Sequence, residues 1–234
     1  DFPGGDGYSY TWSEDFSGFE ILIPQGRMFY SESYFSRKVS DRCVDYFLEN
    51  EVEGMSKIDL EKLAAQSLDK IPFSNIAWKQ ESIRLYGRTV PLPRITAWYG
   101  DASSSYTYSG IKLAPEQWNK GLLYIKREVE RVAGVKFNSV LMNWYRNGED
   151  YLNWHADDEK ELGENPVIAS ANFGAKRDFI IRRTDNSKEK IGIPLGHGSL
   201  LIMSGEMQHH WQHSVPKRKK VSDSRFNLTF RVIK

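Results

Sequence analysis

Asn143-Trp144-Tyr145-Arg146-Asn147-Gly148-Glu149-Asp150-Tyr151-Leu152-Asn153-Trp154-His155-Ala156-Asp157-Asp158-Glu159 is the stretch around which the rest of the chain arranges itself. Its Asn147-Gly148 pair is a tight-turn signal. Beyond the turn lies His155-Ala156-Asp157. In extended backbone, residues two apart project to the same side, so an imidazole and a carboxylate converge on one point. Two imidazole nitrogens and one carboxylate oxygen on one face of an octahedron suit Fe(II) and leave three coordination positions open. Because a lone His-x-Asp pair occurs far more often in surface turns than in metal sites, its partners decide the reading.

A third ligand has to come from later in the chain, since a barrel brings distant strands together. The candidates are His197, His209, His210 and His213, and spacing does not choose among them. Near the C-terminus, Arg225-Phe226-Asn227-Leu228-Thr229-Phe230-Arg231 alternates strictly. Phe226, Leu228, Phe230 and Val232 form an apolar face, and Arg225, Asn227, Thr229 and Arg231 a polar one. Taken alone, that polar face would be read as solvated.

Together, His155-x-Asp157, His213 and Arg225-x-Asn227-x-Thr229-Phe230-Arg231 resemble the AlkB family of Fe(II)- and 2-oxoglutarate-dependent nucleic-acid dealkylases. The likeness runs from about Ile76 to Lys234, and is carried by members that repair alkylated double-stranded DNA. It rests on Pro93-Arg94, Tyr99 to Ala102, Tyr106 to Gly110, Phe173 to Phe179, Gly198 to Leu201, His213 to Pro216 and Arg218 to Lys220. The resemblance implies that His155, Asp157 and His213 hold the iron. It implies that Arg225 takes the far carboxylate of 2-oxoglutarate, with Asn143, Tyr145, Thr229 and Arg231 completing that pocket. Arginine suits the task because its planar fork stays charged in a dry site.

The implied reaction consumes O2 and 2-oxoglutarate, hydroxylates an N-methyl group of a base of the 1-methyladenine or 3-methylcytosine type, and releases formaldehyde. Such a carbon is buried in a duplex, so the base has to be flipped out. Tyr106 and Tyr108 match the family's base-contacting aromatics, with Ser109 beside them; Tyr108 stands where these members carry Phe. Glu159 matches the acidic position that reads the exocyclic amine of a cationic base. Arg94 matches a substrate contact, and Tyr86 an aromatic wedge that fills the gap left by the flipped base. Within Lys217 to Lys220, the Arg218-Lys219-Lys220 run is read as a phosphate contact. The alternative is an RNA demethylase or nucleobase-modifying hydroxylase on the same fold; a metal-holding barrel that binds nucleic acid without turnover is disfavoured, because all three ligands and both arginines are present.

The whole chain agrees with a nucleic-acid enzyme without requiring one. Its 234 residues, 40% hydrophobic and 27% charged, are ordinary for a globule with a sizeable core. A formal net charge of +1 neither favours nor excludes a polyanionic partner. No run is long enough for a membrane span, and the start lacks the pattern of a signal peptide. The lone Cys43 has no internal partner for a disulfide, which favours an intracellular setting, cytoplasmic for a prokaryotic or viral source and nuclear for a eukaryotic one. The expected protein is a monomer, with residues 1–35 an extension of irregular chain and 36–234 the dioxygenase domain.

Along the chain, helices are expected from Ser40 to about Glu51, with Ser40 or Asp41 as cap, from Asp59 to Leu68, and from Pro115 to Gly134. Short strands are expected at Ile76 to Lys79, Ile83 to Tyr86, Thr96 to Tyr99, Tyr106 to Ser109, Phe137 to Tyr145 and Val167 to Phe173. Further strands follow at Asp178 to Arg183, Lys190 to Ile193, Ser199 to Met203, Gln208 to His213 and Phe226 to Ile233. Gly174-Ala175-Lys176 reads as a hairpin turn. Many short strands after the last helix give a mainly β, α+β chain built on a jelly-roll barrel, the double-stranded β-helix that the resemblance also implies.

Overall fold

The computed structural model describes residues 7–51, 71–85, 87–104, 106–108 and 111–234. Among these the strands are β1 (Ser9–Ser13), β2 (Gly18–Ile23), β3 (Gly26–Ser31), β4 (Ser82–Leu85), β5 (Arg88–Pro91), β6 (Ile95–Gly100), β7 (Tyr106–Tyr108) and β8 (Ile111–Leu113). They continue as β9 (Ser139–Tyr145), β10 (Leu152–His155), β11 (Ile168–Gly174), β12 (Arg177–Arg183), β13 (Lys190–Leu195), β14 (Ser199–Ser204), β15 (Trp211–Val215) and β16 (Arg225–Arg231). An eight-stranded antiparallel sheet runs β1-β2-β3-β14-β11-β16-β9-β6, and a four-stranded sheet runs β10-β15-β12-β13. Pairing between strands far apart in sequence makes this the expected jelly roll; β4-β5 and β7-β8 are separate hairpins.

The alternation of β16 decides how the large sheet is used. Phe226, Leu228 and Phe230 are fully buried on its outer face with Val140, Met142 and Trp144 of β9. That face is covered by α1 (Arg37–Leu48) and α2 (Lys120–Ala133), which contribute Val44, Phe47, Leu48, Leu122, Ile125 and Val129. The inner face meets the small sheet through a second apolar cluster that includes Phe179, Ile181, Ile193, Leu201 and Met203. Arg225, Asn227, Thr229 and Arg231 point into this inter-sheet space and line its cavity. No helix among the described residues is long and apolar enough to cross a membrane.

Several elements differ from the sequence expectations. Residues expected as irregular chain before residue 35 form β1, β2 and β3, and β3 pairs with β14, so they extend the large sheet. Their signal is a two-residue alternation that buries Ile21 and Ile23, with Met28 and Tyr30 opposite. Helix α1 starts earlier than expected because Ser36 caps it, accepting from the Val39 N–H. Helix α2 starts later, where Asn119 accepts from the Leu122 N–H; the preceding Glu116 instead pairs with Trp98 and Gly100 through backbone bonds. Ile76 to Lys79 makes a single bridge, Lys79 to Thr96, rather than a strand. Gln208 to His213 begins as a helical turn, Met207–His210, before β15. The expected helix at Asp59 to Leu68 lies outside the described residues.

The turn at Gly174-Ala175-Lys176 is a correction with consequences for the site. It makes no hairpin: β11 belongs to the large sheet and β12 to the small one, so the chain crosses the barrel there. Gly174 takes φ +85°, and the Ala175 N–H donates to the Ser224 carbonyl at 2.8 Å. A Cβ on Gly174 would lie 2.3 Å from that same oxygen. Gly174→Ala is therefore expected to destabilise the fold by more than about 1 kcal/mol, read as a lower urea midpoint with an unchanged slope. An unchanged midpoint would show that this crossing is not constrained.

Candidate active site

The small sheet presents two imidazoles together. His155 ends β10 and lies in register with His213 of β15, their ring centroids 4.2 Å apart. Past His155 the ladder stops and the chain turns Asp157 inward, where its backbone N–H donates to the Gln208 side-chain oxygen at 2.9 Å. One carboxylate oxygen of Asp157 is 4.0 Å from His155 Nε2, and the other is 4.0 Å from His213 Nε2. A ligand atom from each of His155, Asp157 and His213 falls within 4.8 Å of the others. His155 Nδ1 sits 2.8 Å from the Asn153 carbonyl, which fixes its proton there and leaves the Nε2 lone pair for a metal.

The other histidines are occupied elsewhere. His197 Nδ1 accepts from the Gly174 N–H and its Nε2 faces Asp41, while His210 lies 3.6 Å from Glu206 and His209 meets the Glu164 carbonyl. Of the four candidates, the structure brings His213 to the pair.

Electrostatics keep Asp157 and His213 in their ligating forms. Burial by itself would raise the Asp157 carboxyl, but Arg231 and the two imidazoles hold it below the usual carboxylate range. Arg231 Nη2 donates to one of its oxygens at 2.7 Å. Burial pushes His213 down to about 3, assisted by His155 and Arg231 against the pull of Asp157, so its ring is neutral at ordinary pH. Phe179 stacks on that ring at 5.1 Å and helps keep it dry.

On the large sheet, a polar network faces the triad across a cavity of about 160 Å³. Arg225, 2% exposed, donates through Nη2 to Asn172 Oδ1 at 2.6 Å and lies over the Tyr145 ring at 5.0 Å. Among the described residues its Nε and Nη1 are buried without a hydrogen-bond partner, and so is Arg231 Nε. Burial lowers Arg225 to about 10, which still leaves it a cation. Asn227 bonds Ser170 and Asn172 through Nδ2, while its Oδ1 accepts from Thr229 at 2.9 Å and from Asn143 at 3.3 Å. Arg94 Nε closes the line by donating to Asn143 Oδ1 at 2.8 Å.

Orphaned guanidinium nitrogens facing a cavity need acceptors, and an unmet buried donor costs about 1–3 kcal/mol. A small dianion with carboxylates would supply them, and the His-Asp-His set supplies a metal. The residues present thus fit both Fe(II) and 2-oxoglutarate.

A β-barrel carrying two histidines and an aspartate on one wall defines a class, the non-haem iron oxygenases of the facial-triad type. The sequence profile of the 2OG-Fe(II) oxygenase superfamily matches residues 54–231, and the chain belongs to that superfamily. It is 45% identical over 168 residues to alpha-ketoglutarate-dependent dioxygenase alkB homolog 3 of Bos taurus, a match covering 68% of this chain and 58% of that protein. It is 44% identical over 158 residues to DNA oxidative demethylase ALKBH2 of Homo sapiens, covering 64% and 60%. The chain spans about three fifths of the length of these relatives. A solved structure, that of OsALKBH1, superposes with a TM-score of 0.53 at 14% identity over 90% of this chain and 98% of that one, a likeness of fold. The resemblance to the AlkB family is borne out.

The remaining site residues are distributed unevenly. Asn143, Tyr145, Thr229, Arg231 and Arg94 line the cavity with the triad, and Glu159 stands exposed at its rim. Tyr106 and Tyr108 belong to the backbone of β7; Tyr86 and Ser109 lie outside the described residues. Arg218 is paired with Asp178 at 2.6 Å, and Lys219 and Lys220 are exposed. Sequence reasoning gave no role to Ser170, Asn172, Asn227 or Gln208. For Ser170 and Asn172 a signal existed, since they alternate with Ala169, Ala171 and Phe173 and so share the inward face of β11.

Arg231 offers a test of the metal site's charge balance. Arg231→Met removes the strongest influence holding the Asp157 carboxyl down, so burial acts with less opposition and its pKa rises. Metal binding requires the carboxylate, so the acid limb of Co(II) binding should move to higher pH in the variant. An acid limb that stays in place would remove Arg231 from this role. Asp157→Ala should abolish tight Co(II) binding at any pH, because two imidazoles remain.

Proposed function

We propose that the chain is an Fe(II)- and 2-oxoglutarate-dependent oxidative demethylase of N-alkylated bases, of the 1-methyladenine and 3-methylcytosine type, acting on DNA and preferentially on duplex. The observation that carries the chemistry is the pair of unpartnered Arg225 nitrogens facing the same cavity as the His155, Asp157 and His213 cluster. The choice of substrate rests on relatives of which one is named a DNA oxidative demethylase.

When bound, the iron with 2-oxoglutarate and O2 supplies the oxidation of the N-methyl carbon. The chain's residues do the positioning. Arg225 and Arg231 direct their free N–H groups at the co-substrate's carboxylates, Tyr145 walls that pocket, and Asn143 and Thr229 set its polar floor. Phe179 and Met203 exclude water near the triad. Glu159 at the rim meets the exocyclic amine of the cationic base, and the family resemblance assigns the base-contacting aromatics to Tyr106 and Tyr108, whose side chains lie outside the described residues. The hydroxymethylated base then loses formaldehyde without further help. Tyr86 serves as the wedge that makes the duplex the better substrate.

Release of formaldehyde from oligonucleotides carrying 1-methyladenine or 3-methylcytosine, coupled to formation of succinate from 2-oxoglutarate, is the direct assay. Faster turnover on duplex DNA than on the same single strand is expected. Release from methylated RNA alone would favour the RNA enzyme, and no release from any substrate would sink the reading. The phosphate contacts have their own test. Arg218 is engaged by Asp178 and Lys217 by Glu149, which leaves Lys219 and Lys220 as the cations of that loop without an ion pair among the described residues. Replacing Lys219 and Lys220 by Ala should flatten the salt dependence of duplex binding by roughly 0.9 per lost contact, uniformly across sequences. An unchanged slope would return the loop to the solvated surface.

A further inference from the structure

Asn172 was assigned no role by its sequence, yet it is fully buried on β11 beside the most buried unpaired cation of the cavity. Its amide orientation follows from its neighbours. Arg225 Nη2 and Asn227 Nδ2 both point at Oδ1, at 2.6 and 3.2 Å, while Nδ2 donates to the Ser170 carbonyl at 3.0 Å. Oxygen and nitrogen exchanged would set donor against donor at Arg225.

Arg231, Arg146 and Arg218 have carboxylates, those of Asp157, Asp150 and Asp178, whereas Arg94 and the buried Arg177 bond neutral acceptors, the Asn143 amide and the backbone carbonyls of Asn147, Asp150 and Pro216. Among the described residues no carboxylate lies within ion-pair distance of Arg225, and its side-chain acceptor is the neutral Asn172 amide. A buried cation is costly without a counterion, and a carboxylate at this position would supply one permanently.

We propose that Asn172 is a positioning residue that aims Arg225 while leaving its charge uncancelled, so that the counterion has to be the distal carboxylate of the co-substrate. The inference rests on the reading of Arg225 as the 2-oxoglutarate anchor and adds the reason that its holder is an amide. A neutral acceptor fixes the guanidinium at hydrogen-bond distance, and the unmet charge is kept for the incoming dianion. An aspartate of nearly the same shape would pair with Arg225 and compete with the ligand, at the cost of the bond to the Ser170 carbonyl, which the urea midpoint reads.

The test uses 2-oxoglutarate titrated calorimetrically into the Co(II)-loaded full chain, without oxygen, with Co(II) affinity and urea midpoint measured beside it. Asn172→Asp should weaken 2-oxoglutarate by about tenfold or more, with Co(II) affinity held within about threefold. Asn172→Ser, which keeps a neutral acceptor, should stay within about threefold of the parent for 2-oxoglutarate. Three results would overturn the inference: Asn172→Asp binding as tightly as the parent, Asn172→Ser losing as much as Asn172→Asp, or Co(II) affinity falling in parallel with 2-oxoglutarate affinity. If the parent itself does not bind 2-oxoglutarate, the reading of Arg225 fails and takes this inference with it. Tight parent binding with no effect of the added charge sinks the inference alone.

Discussion

The seven residues of β16 have to satisfy two interiors at once. Phe226, Leu228 and Phe230 fill the space under the helices, and Arg225, Asn227, Thr229 and Arg231 furnish the cavity between the sheets. A one-residue slip in register would exchange these faces, placing two guanidiniums among aromatic rings and three large apolar groups around a metal site. The cost of burying unpaired charge makes such a slip far worse than an ordinary packing fault. Pairing on both sides, Arg225 opposite Tyr145 on β9 and opposite Gly174 on β11, is thus set by chemistry as much as by shape. Gly174, which the crossing between sheets requires, stands at the ladder position opposite the buried arginine.

The cavity's charge follows from this arrangement. The Asp157 carboxylate and the guanidiniums of Arg94, Arg225 and Arg231, with His213 neutral, leave two positive charges in excess inside the rim before any metal enters. A divalent cation increases that excess, and a dianionic co-substrate brings it back. Arg231 bonds Asp157 with Nη2 and, among the described residues, keeps Nε without a partner, so one side chain reaches both the ligating carboxylate and the cavity. Glu159, exposed at the rim, adds a negative charge there.

Much of this was legible in the sequence because it has a period or a motif. The alternation of β16, the His155-x-Asp157 spacing and the jelly-roll succession of short strands all carry into the structure. The choice of His213 among four histidines was legible only through the family resemblance, since spacing is silent about which ring reaches β10. What the sequence concealed depends on long-range partners. Gly174 to Lys176 reads locally as a hairpin and becomes a crossing because β11 and β12 find different neighbours. Residues 7–35 read as irregular because their aromatics lack a helical period, while their alternation becomes useful only when β14 offers an edge. Trp118 falls in step with the α2 stripe, yet it precedes the Asn119 cap and stacks on Phe230 instead.

Between the substrate side and the co-substrate side, the cavity wall is a line of neutral groups. Arg94 bonds Asn143, Asn143 bonds Asn227, and Asn227 bonds Thr229, Ser170 and Asn172, which reaches Arg225. In a low-dielectric interior such bonds strengthen one another and hold their members in one arrangement. Carboxylates could have made the same links with stronger individual bonds. They would also have neutralised both arginines, and the cavity would then lack the positive field that a dianionic ligand meets. Amides and hydroxyls give rigidity without charge, so the orientation of the arginines is fixed in advance and their electrostatic effect is kept for the ligands.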